Sequence, residues 1–243
     1  MNLQLAGLQA VVTGGSAGIG AAIVRTLSAE GCHVAFCARD PGRIDALLRS
    51  VESLPGVVTA HALDITQTAS FQAWLTSLDR FDIFVANVSA LSGDWTAAMD
   101  TDIRATVDTS EAALPFLQRS PHGALTYIGS KAGALAAPNS SAYGAAKAAM
   151  AHYMKSLALR LLPGVRVNTV SPGDTLCEGG LWDRVRAQEP GTYEKVLQRN
   201  PMQRLATPEE VARVVAFVSS PAASFVAGAN WYVDGGSVNH VQF

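Results

Sequence analysis

Residues 8–31, LQAVVTGGSAGIGAAIVRTLSAEG, read as a strand, a glycine turn and a helix in immediate succession. LQAVVT (8–13) is an apolar run of strand length, and Gly14 ends it. AAIVRTLSAEG places apolar residues at helical spacing and stops at Gly31. Glycines in such a turn let the backbone approach a pyrophosphate closely. The helix start adds free N–H groups and the positive end of a dipole. The spacing is Gly14-x-x-x-Gly18-x-Gly20 rather than GxGxxG. Taken alone, such a turn can be purely structural. Its place between strand and helix favours a dinucleotide site.

The same alternation continues outward. CHVAFCA (32–38), VVTAHA (57–62), FDIFVA (81–86), GALTYIG (123–129) and VRVNTV (165–170) read as strands, and NWYVDGG (230–236) as a last strand and turn. Helices are expected over 42–54, 68–78 and 96–118, with Pro115 kinking or shortening the third. A further helix runs to about Leu162, where Pro163-Gly164 stops it. Thr207-Pro208-Glu209-Glu210 opens another, with Thr as N-cap, Pro at N1 and an acid at N3. This order predicts a single-domain, Rossmann-like α/β fold: a doubly wound parallel sheet of about seven strands, with helices on both faces. Between Ser171 and Ala206 the pattern changes to Gly- and Pro-rich chain. A lid at about 174–206 is expected there, with short helices near Trp182–Gln188 and Tyr193–Gln198.

Composition narrows the function classes. The chain has 243 residues, 49% hydrophobic and 16% charged, with net charge −2. It has no evident basic face, which disfavours nucleic acid and anionic membrane as partners. No apolar run reaches membrane-spanning length, and MNLQLAG lacks the charged and apolar regions of a signal peptide. Cys32, Cys37 and Cys177 form no CxxC pair, which fits a reducing cytoplasm. Cys37 reads as a small core residue and Cys177 as a loop residue. No metal-ligand pattern is expected.

Ligands of such sheets bind outside the C-terminal strand ends, near the topological switch point. Gly14, Arg39, Asp64, Asn87, Ser130 and Pro172-Gly173 all fall at such ends. The second strand ends Ala38-Arg39-Asp40. An acid in the first position would hold a ribose 2′-OH, whereas Arg39 offers a guanidinium suited to a 2′-phosphate. Arg43 is a candidate second contact. Asp40 keeps the ribose hydroxyl open as an alternative. NADP(H) is therefore expected over NAD(H). Asp64 could accept from an adenine amino group, or could cap the helix that starts near Gln67.

SSAYGAAKAAM (140–150) sets Tyr143 four residues before Lys147. In a helix that spacing puts both on one face. Free tyrosine has a pKa of about 10. A neighbouring ammonium favours the phenolate and pulls the value down, towards the range where a general acid or base works best.

Together these residues resemble the short-chain dehydrogenase/reductase family along essentially the whole chain. TGGSAGIG is similar to its TGxxxGxG turn, Asp64 to its adenine-contacting acid, and Tyr143-x-x-x-Lys147 to its active-site pair. Ser130 resembles its catalytic serine, and Asn168 to Gly173 its segment beside the nicotinamide. The resemblance implies that Tyr143 is the general acid/base of hydride transfer between a nicotinamide and a carbonyl carbon. Lys147 would assist Tyr143 and hold the nicotinamide ribose, and Ser130 would hydrogen-bond the substrate oxygen. It also implies that Gly14, Ser16, Gly18, Ile19, Gly20, Ile65, Asn87, Val88, Pro172, Gly173 and Thr175 line the cofactor. Two departures stand out. Asn-Asn-Ala-Gly of the family is here Ala86-Asn87-Val88-Ser89. The helical Asn that supports a water chain to the Lys aligns with Asp102, which cannot donate when ionised.

The leading expectation is an NADP(H)-dependent enzyme acting on a small carbonyl or secondary alcohol. The alternative is a non-catalytic dinucleotide-binding regulator or redox sensor on the same fold. A lyase or epimerase is a third reading. Trp95, Ala137, Pro138, Asp174 and Trp182 are expected to shape a pocket for an apolar or ring substrate. The alanine-rich helix and the ending VNHVQF suggest a homotetramer or homodimer, as the resemblance also implies.

Overall fold

The strands in the computed structural model are short, five of the seven are mostly buried, and each of the first six is followed by a chain that returns over a face of the sheet. The structure describes residues 1–241, so the last two residues of the ending VNHVQF lie outside it. The order runs β1 (Gln9–Thr13), α1 (Gly18–Ala29), β2 (His33–Ala38), α2 (Pro41–Val51), β3 (Val58–Ala62), α3 (Thr68–Ser77) and β4 (Ile83–Ala86). A short α4 (Trp95–Ala97) leads through a π segment (Ala98–Ala105) into α5 (Thr106–Leu117). Then come β5 (Ala124–Ile128), α6 (Ser141–Leu161), β6 (Arg166–Pro172), α7 (Leu181–Gln188), α8 (Pro190–Arg199), α9 (Pro208–Ser219) and β7 (Asn230–Val233).

The seven strands form one sheet in the order β3-β2-β1-β4-β5-β6-β7, and every pairing is parallel. The chain winds outward from β1 to β3, then crosses back to β4 and winds the other way. That reversal opens a crevice between the C-terminal ends of β1 and β4. β4 and β5 are buried along their whole length, as a strand covered on both faces should be. One apolar layer joins the sheet to α1, α2 and α9 through Ile23, Leu27, Phe36, Leu47 and Val215. The other joins it to α3, α5 and α6 through Phe71, Phe84, Leu117, Met150 and Leu157.

Local chemistry sets the helix starts. Asp40 caps α2 by accepting the Arg43 N–H at 3.1 Å, with Pro41 beginning the helix. Thr207 and Glu210 form a reciprocal capping box at α9. The expected single helix over 96–118 is not regular. Pro115 sits in the last turn of α5, where the helix ends at Leu117. The disturbance lies further back, in the π segment. Its wider turn brings Ala98, Asp102 and Ala105 inside. β6 continues two residues past its expected end, because Ser171 and Pro172 still pair with Tyr232 and Val233. The last strand ends at Val233, and Asp234, Gly235 and Gly236 form the turn expected after it. In the segment 174–206, α7 and α8 lie where short helices were expected, and neither carries a buried residue.

One glycine ties the first turn together. A Cβ on Gly20 would lie 2.1 Å from the Gly14 carbonyl oxygen, which is backbone and cannot step aside. Gly20→Ala is expected to destabilise the fold by about 1–3 kcal/mol, the usual range for overpacking. A denaturant midpoint unchanged from the parent would count against this.

Candidate active site

The crevice begins at the glycine turn. Gly14 has φ +68° and Gly18 φ +52°, both in the left-handed region. Asn87, just past β4, clamps this turn. Its Nδ2 donates to the Thr13 and Gly14 carbonyls at 3.0 and 3.2 Å, and its own N–H donates to Thr13 Oγ1 at 3.0 Å. The Val88 methyl Cγ2 would meet a Cβ on Gly14 at 2.9 Å, so Val88 packs directly on the turn. Ala17 at the α1 N-cap has no side-chain oxygen, and no acid occupies the first turn. The N–H groups at the start of α1 therefore remain available to an anion, which suits a pyrophosphate. Ser16 and Ile19, in the turn and the first turn of α1, are partly buried. Cys177 lies over this turn, its Sγ 3.4 Å from where a Gly18 Cβ would stand. Burial pushes the Cys177 thiol up, against the lowering effect of the Ile19 backbone.

At the ends of β2 and β3, Arg39 is 81% exposed, and its Nη1 stands 3.9 Å from Asp64 Oδ2. Asp64 Oδ1 accepts from the Thr66 N–H and hydroxyl at 3.0 and 2.9 Å. Gln67, not Asp64, is the N-cap of α3. Asp40 and Arg43 are engaged with each other at the start of α2, at 3.5 Å. Arg39 is the guanidinium at these ends that points to no local cap. Ile65 is buried among the apolar residues.

The middle of the crevice holds the residues of α6. Lys147 is 2% exposed and Asp102 0%, and their Nζ and Oδ1 atoms are 3.6 Å apart. Lys147 Nζ also donates to the Ile128 carbonyl at 3.2 Å. It stands 5.5 Å from the Tyr143 ring centroid and 5.0 Å from that of Tyr127. Asp102 Oδ2 accepts the Ala90 N–H at 3.3 Å, which ties the loop after β4 to the π segment. Ser130, at the end of β5, accepts the Ala132 N–H on its Oγ at 3.1 Å. Its hydroxyl proton is left free to donate elsewhere. Tyr143 is half-buried.

The far wall is β6 and the turn after it. Pro172 is buried, and a Cβ on Gly173 would lie 2.7 Å from Asp234 Cα, so the chain passes β7 closely here. The Thr175 hydroxyl donates to the Gly173 carbonyl at 3.1 Å. Asp174 pairs with Lys131, the residue after Ser130. A one-rung bridge between Thr175 and Ala206 closes the base of the 174–206 segment. Trp95 is mostly exposed and Trp182 half-buried. Ala137 and Pro138 line a groove of about 430 Å³ with Gly133, Gly144 and Ala148. That groove lies on the exposed face of α6 beside Ala145, not on the buried face of Lys147.

The structure thus gathers Asp102, Ser130, Tyr143 and Lys147 on one side of the glycine turn, and Arg39 and Asp64 on the other. Tyr127 and the Lys131–Asp174 pair were not anticipated. Tyr127 sits in a strand buried on both faces, where an aromatic residue reads as core. Lys131 could have been flagged by its place next to Ser130. Among the described residues no group of His, Cys, Asp and Glu could hold a metal ion, and no helix is long and apolar enough to cross a membrane.

Comparison with known proteins places this arrangement. A family model for enoyl-(acyl carrier protein) reductase matches residues 14–238. Isoepoxydon dehydrogenase of Penicillium expansum is 33% identical over 253 residues, covering 98% of each chain. The structure of L-sorbose reductase from Gluconobacter frateurii, complexed with NADPH and L-sorbose, superposes with a TM-score of 0.92 at 26% identity, over 99% of this chain and 100% of that one. A 7α-hydroxysteroid dehydrogenase complexed with NADH and 7-oxo glycochenodeoxycholic acid gives 0.89 at 27% identity, over 99% and 98%. With the ordered motifs and the parallel seven-stranded sheet, these matches show that the chain belongs to the short-chain dehydrogenase/reductase family.

Proposed function

We propose that the protein is an NADP(H)-dependent oxidoreductase that interconverts a carbonyl compound and a secondary alcohol. The observation that carries this reading is the buried Lys147 ammonium beside the Tyr143 ring, held by the Ile128 carbonyl two residues before Ser130. A nicotinamide dinucleotide supplies or takes up the hydride when bound. The free N–H groups of α1 would hold its pyrophosphate, with Gly14, Ser16, Gly18, Ile19 and Gly20 around it. Val88, Pro172, Gly173 and Thr175 would line the nicotinamide end. Asn87 would act chiefly by shaping the turn, since its amide is spent on Thr13 and Gly14.

In the reducing direction Tyr143 gives its phenolic proton to the substrate oxygen, and in the oxidising direction it takes that proton back. Lys147 favours the resulting phenolate by its charge. Its own position is fixed by the Ile128 carbonyl. The Ser130 hydroxyl donates to the substrate oxygen where negative charge develops. Asp102 sets how much of the Lys147 charge reaches Tyr143. Arg39 would take the 2′-phosphate of the cofactor, and Asp64 the adenine amino group.

Residues 174–206 would serve as a lid over the substrate, hinged at the Thr175–Ala206 bridge and pinned by Lys131–Asp174. The half-buried Trp182 favours an apolar or ring substrate. Leu159 on α6 and Phe225 before the edge strand β7 are strongly exposed, which supports a homo-oligomer, a tetramer or a dimer, built on these faces. Three free cysteines are in keeping with a cytoplasmic protein.

Tyr143→Phe is expected to lower kcat by about 10²–10⁴, the usual worth of a general acid, while the cofactor-induced rise in Tm stays as in the parent. A variant that keeps most of its turnover would remove Tyr143 from the reaction. At equal concentrations NADP⁺ should raise Tm more than NAD⁺, since stabilisation follows RT ln(1 + [L]/Kd); the reverse order would refute the role given to Arg39. Asp102→Asn removes a negative charge 3.6 Å from Lys147. The acid limb of alcohol oxidation should then move about one unit to lower pH, because the ammonium acts on the phenolate with its full charge. Superimposable curves would exclude Asp102 from this balance. The alternative reading, a non-catalytic regulator, draws on the same Asp102–Lys147 neutralisation. Cofactor oxidation with a panel of ketones separates the two.

A further inference from the structure

Lys147 has a neighbour that the reaction above does not use. Tyr127 lies on β5 just before Ile128, and its ring is under the same ammonium. The side chain is 0% exposed and its hydroxyl has no hydrogen-bond partner. Asp102 Oδ1 is in the same condition, since 3.6 Å to Lys147 Nζ is an ion-pair contact too long for a hydrogen bond. Buried polar atoms are nearly always paired, because leaving them unpaired costs free energy. Among the described residues four buried side-chain atoms lack partners, and two of the four belong to side chains that meet at this one ammonium, the Asp102 carboxylate and the Tyr127 ring. Their chemistry is complementary. An ionised carboxylate can only accept, whereas a phenol can donate. Burial, reinforced by the Asp102 carboxylate, pushes the Tyr127 phenol up, so it keeps its proton.

We propose that Tyr127 is a positioning residue for the Tyr143–Lys147 pair: its hydroxyl donates to Asp102 Oδ1 across one bridging water, and draws the carboxylate's charge away from Lys147. This rests on Tyr143 being the acid/base. The charged or titratable groups around the carboxylate are Lys147 on α6 and Tyr127 on β5, with Tyr143 next along α6. The loop after β4 contributes an uncharged N–H, that of Ala90. Divided between two donors, the carboxylate leaves Lys147 more of its positive field for the Tyr143 oxygen. An aspartate in place of the family's asparagine then remains compatible with turnover.

The test is the pH profile of alcohol oxidation for the parent, Tyr127→Phe, Asp102→Asn and the double variant, with Tyr143→Phe as control. Phe keeps the ring beneath Lys147 and removes only the hydroxyl, so Tm should hold within a few degrees. Tyr127→Phe should move the acid limb to higher pH by about half a unit, since Asp102 then acts on Lys147 undivided. That direction is opposite to the shift expected for Asp102→Asn. In the Asp102→Asn background the same substitution should move nothing. A Tyr127→Phe curve that overlies the parent's, or moves to lower pH, overturns the proposal. So does an equal shift in the Asp102→Asn background. A Tm loss above about 10 °C in Tyr127→Phe also overturns it, because the hydroxyl then serves the fold and not the site. An active Tyr143→Phe overturns the acid/base reading itself, and that arm is read separately.

Discussion

A buried ammonium must be balanced, and the balance around Lys147 organises the centre of this molecule. Removing an ammonium from water costs several kcal/mol unless a charge and hydrogen bonds replace the solvent. Lys147, at 2% exposure, finds the Ile128 carbonyl, the Asp102 carboxylate and two tyrosine rings. They come from three parts of the chain: the end of β5, which gives both Tyr127 and Ile128, the π segment and the start of α6. Holding that one charge fixes the mutual placement of all three. It also explains the irregular helix. A regular α-helix through 98–105 would turn its side chains differently, and the π turn is what accompanies Asp102 at 0% exposure.

The second constraint is the reversal of winding between β1 and β4. It leaves the two strand ends side by side with a gap beyond them. Thr13, Gly14 and Asn87 close the floor of that gap by hydrogen bonds. The close approach of Gly20 to the Gly14 carbonyl brings the start of α1 right against it. On the proposed reading, the anion-binding end of the site would be backbone and its chemical end side chain. The two ends lie near each other because β1, β4 and β5 run side by side in one parallel sheet.

Much of this could be read from the residues alone, for definable reasons. Strand and helix alternation is carried by hydrophobic period, which buried parallel strands preserve. Glycines and caps such as Thr207–Glu210 act locally, so their effect is visible in a few consecutive residues. The Tyr143–Lys147 pair is legible because a helix converts a spacing of four into a contact. What escaped was non-local. The π segment has no Pro or Gly at its centre to announce it, and Pro115 drew attention to the wrong place. Tyr127 looks like any apolar strand residue until α6 lays an ammonium over it. The Lys131–Asp174 pair joins residues 43 positions apart, and no local pattern links them.

That last pair shows why the chemistry of this chain is more legible than its selectivity. Ser130, Tyr143, Lys147 and Asp102 sit on or beside elements packed into the two apolar layers. Their positions are therefore held by buried side-chain packing. Helices α7 and α8 bury no residue in this chain. The segment that carries them is attached through the Thr175–Ala206 rung, the Lys131–Asp174 ion pair, the packing of Cys177 on Gly18 and the buried Asn200, whose amide donates to the Asp234 carbonyl. Segments with so few buried contacts belong to the low-stability end of a fold, where opening is cheap. On the proposed reading of 174–206 as a lid, such an element would accept different substrate shapes without disturbing the ammonium beneath. Its residues are then tied to the ligand they meet rather than to the core, and a ligand leaves no periodicity in a sequence.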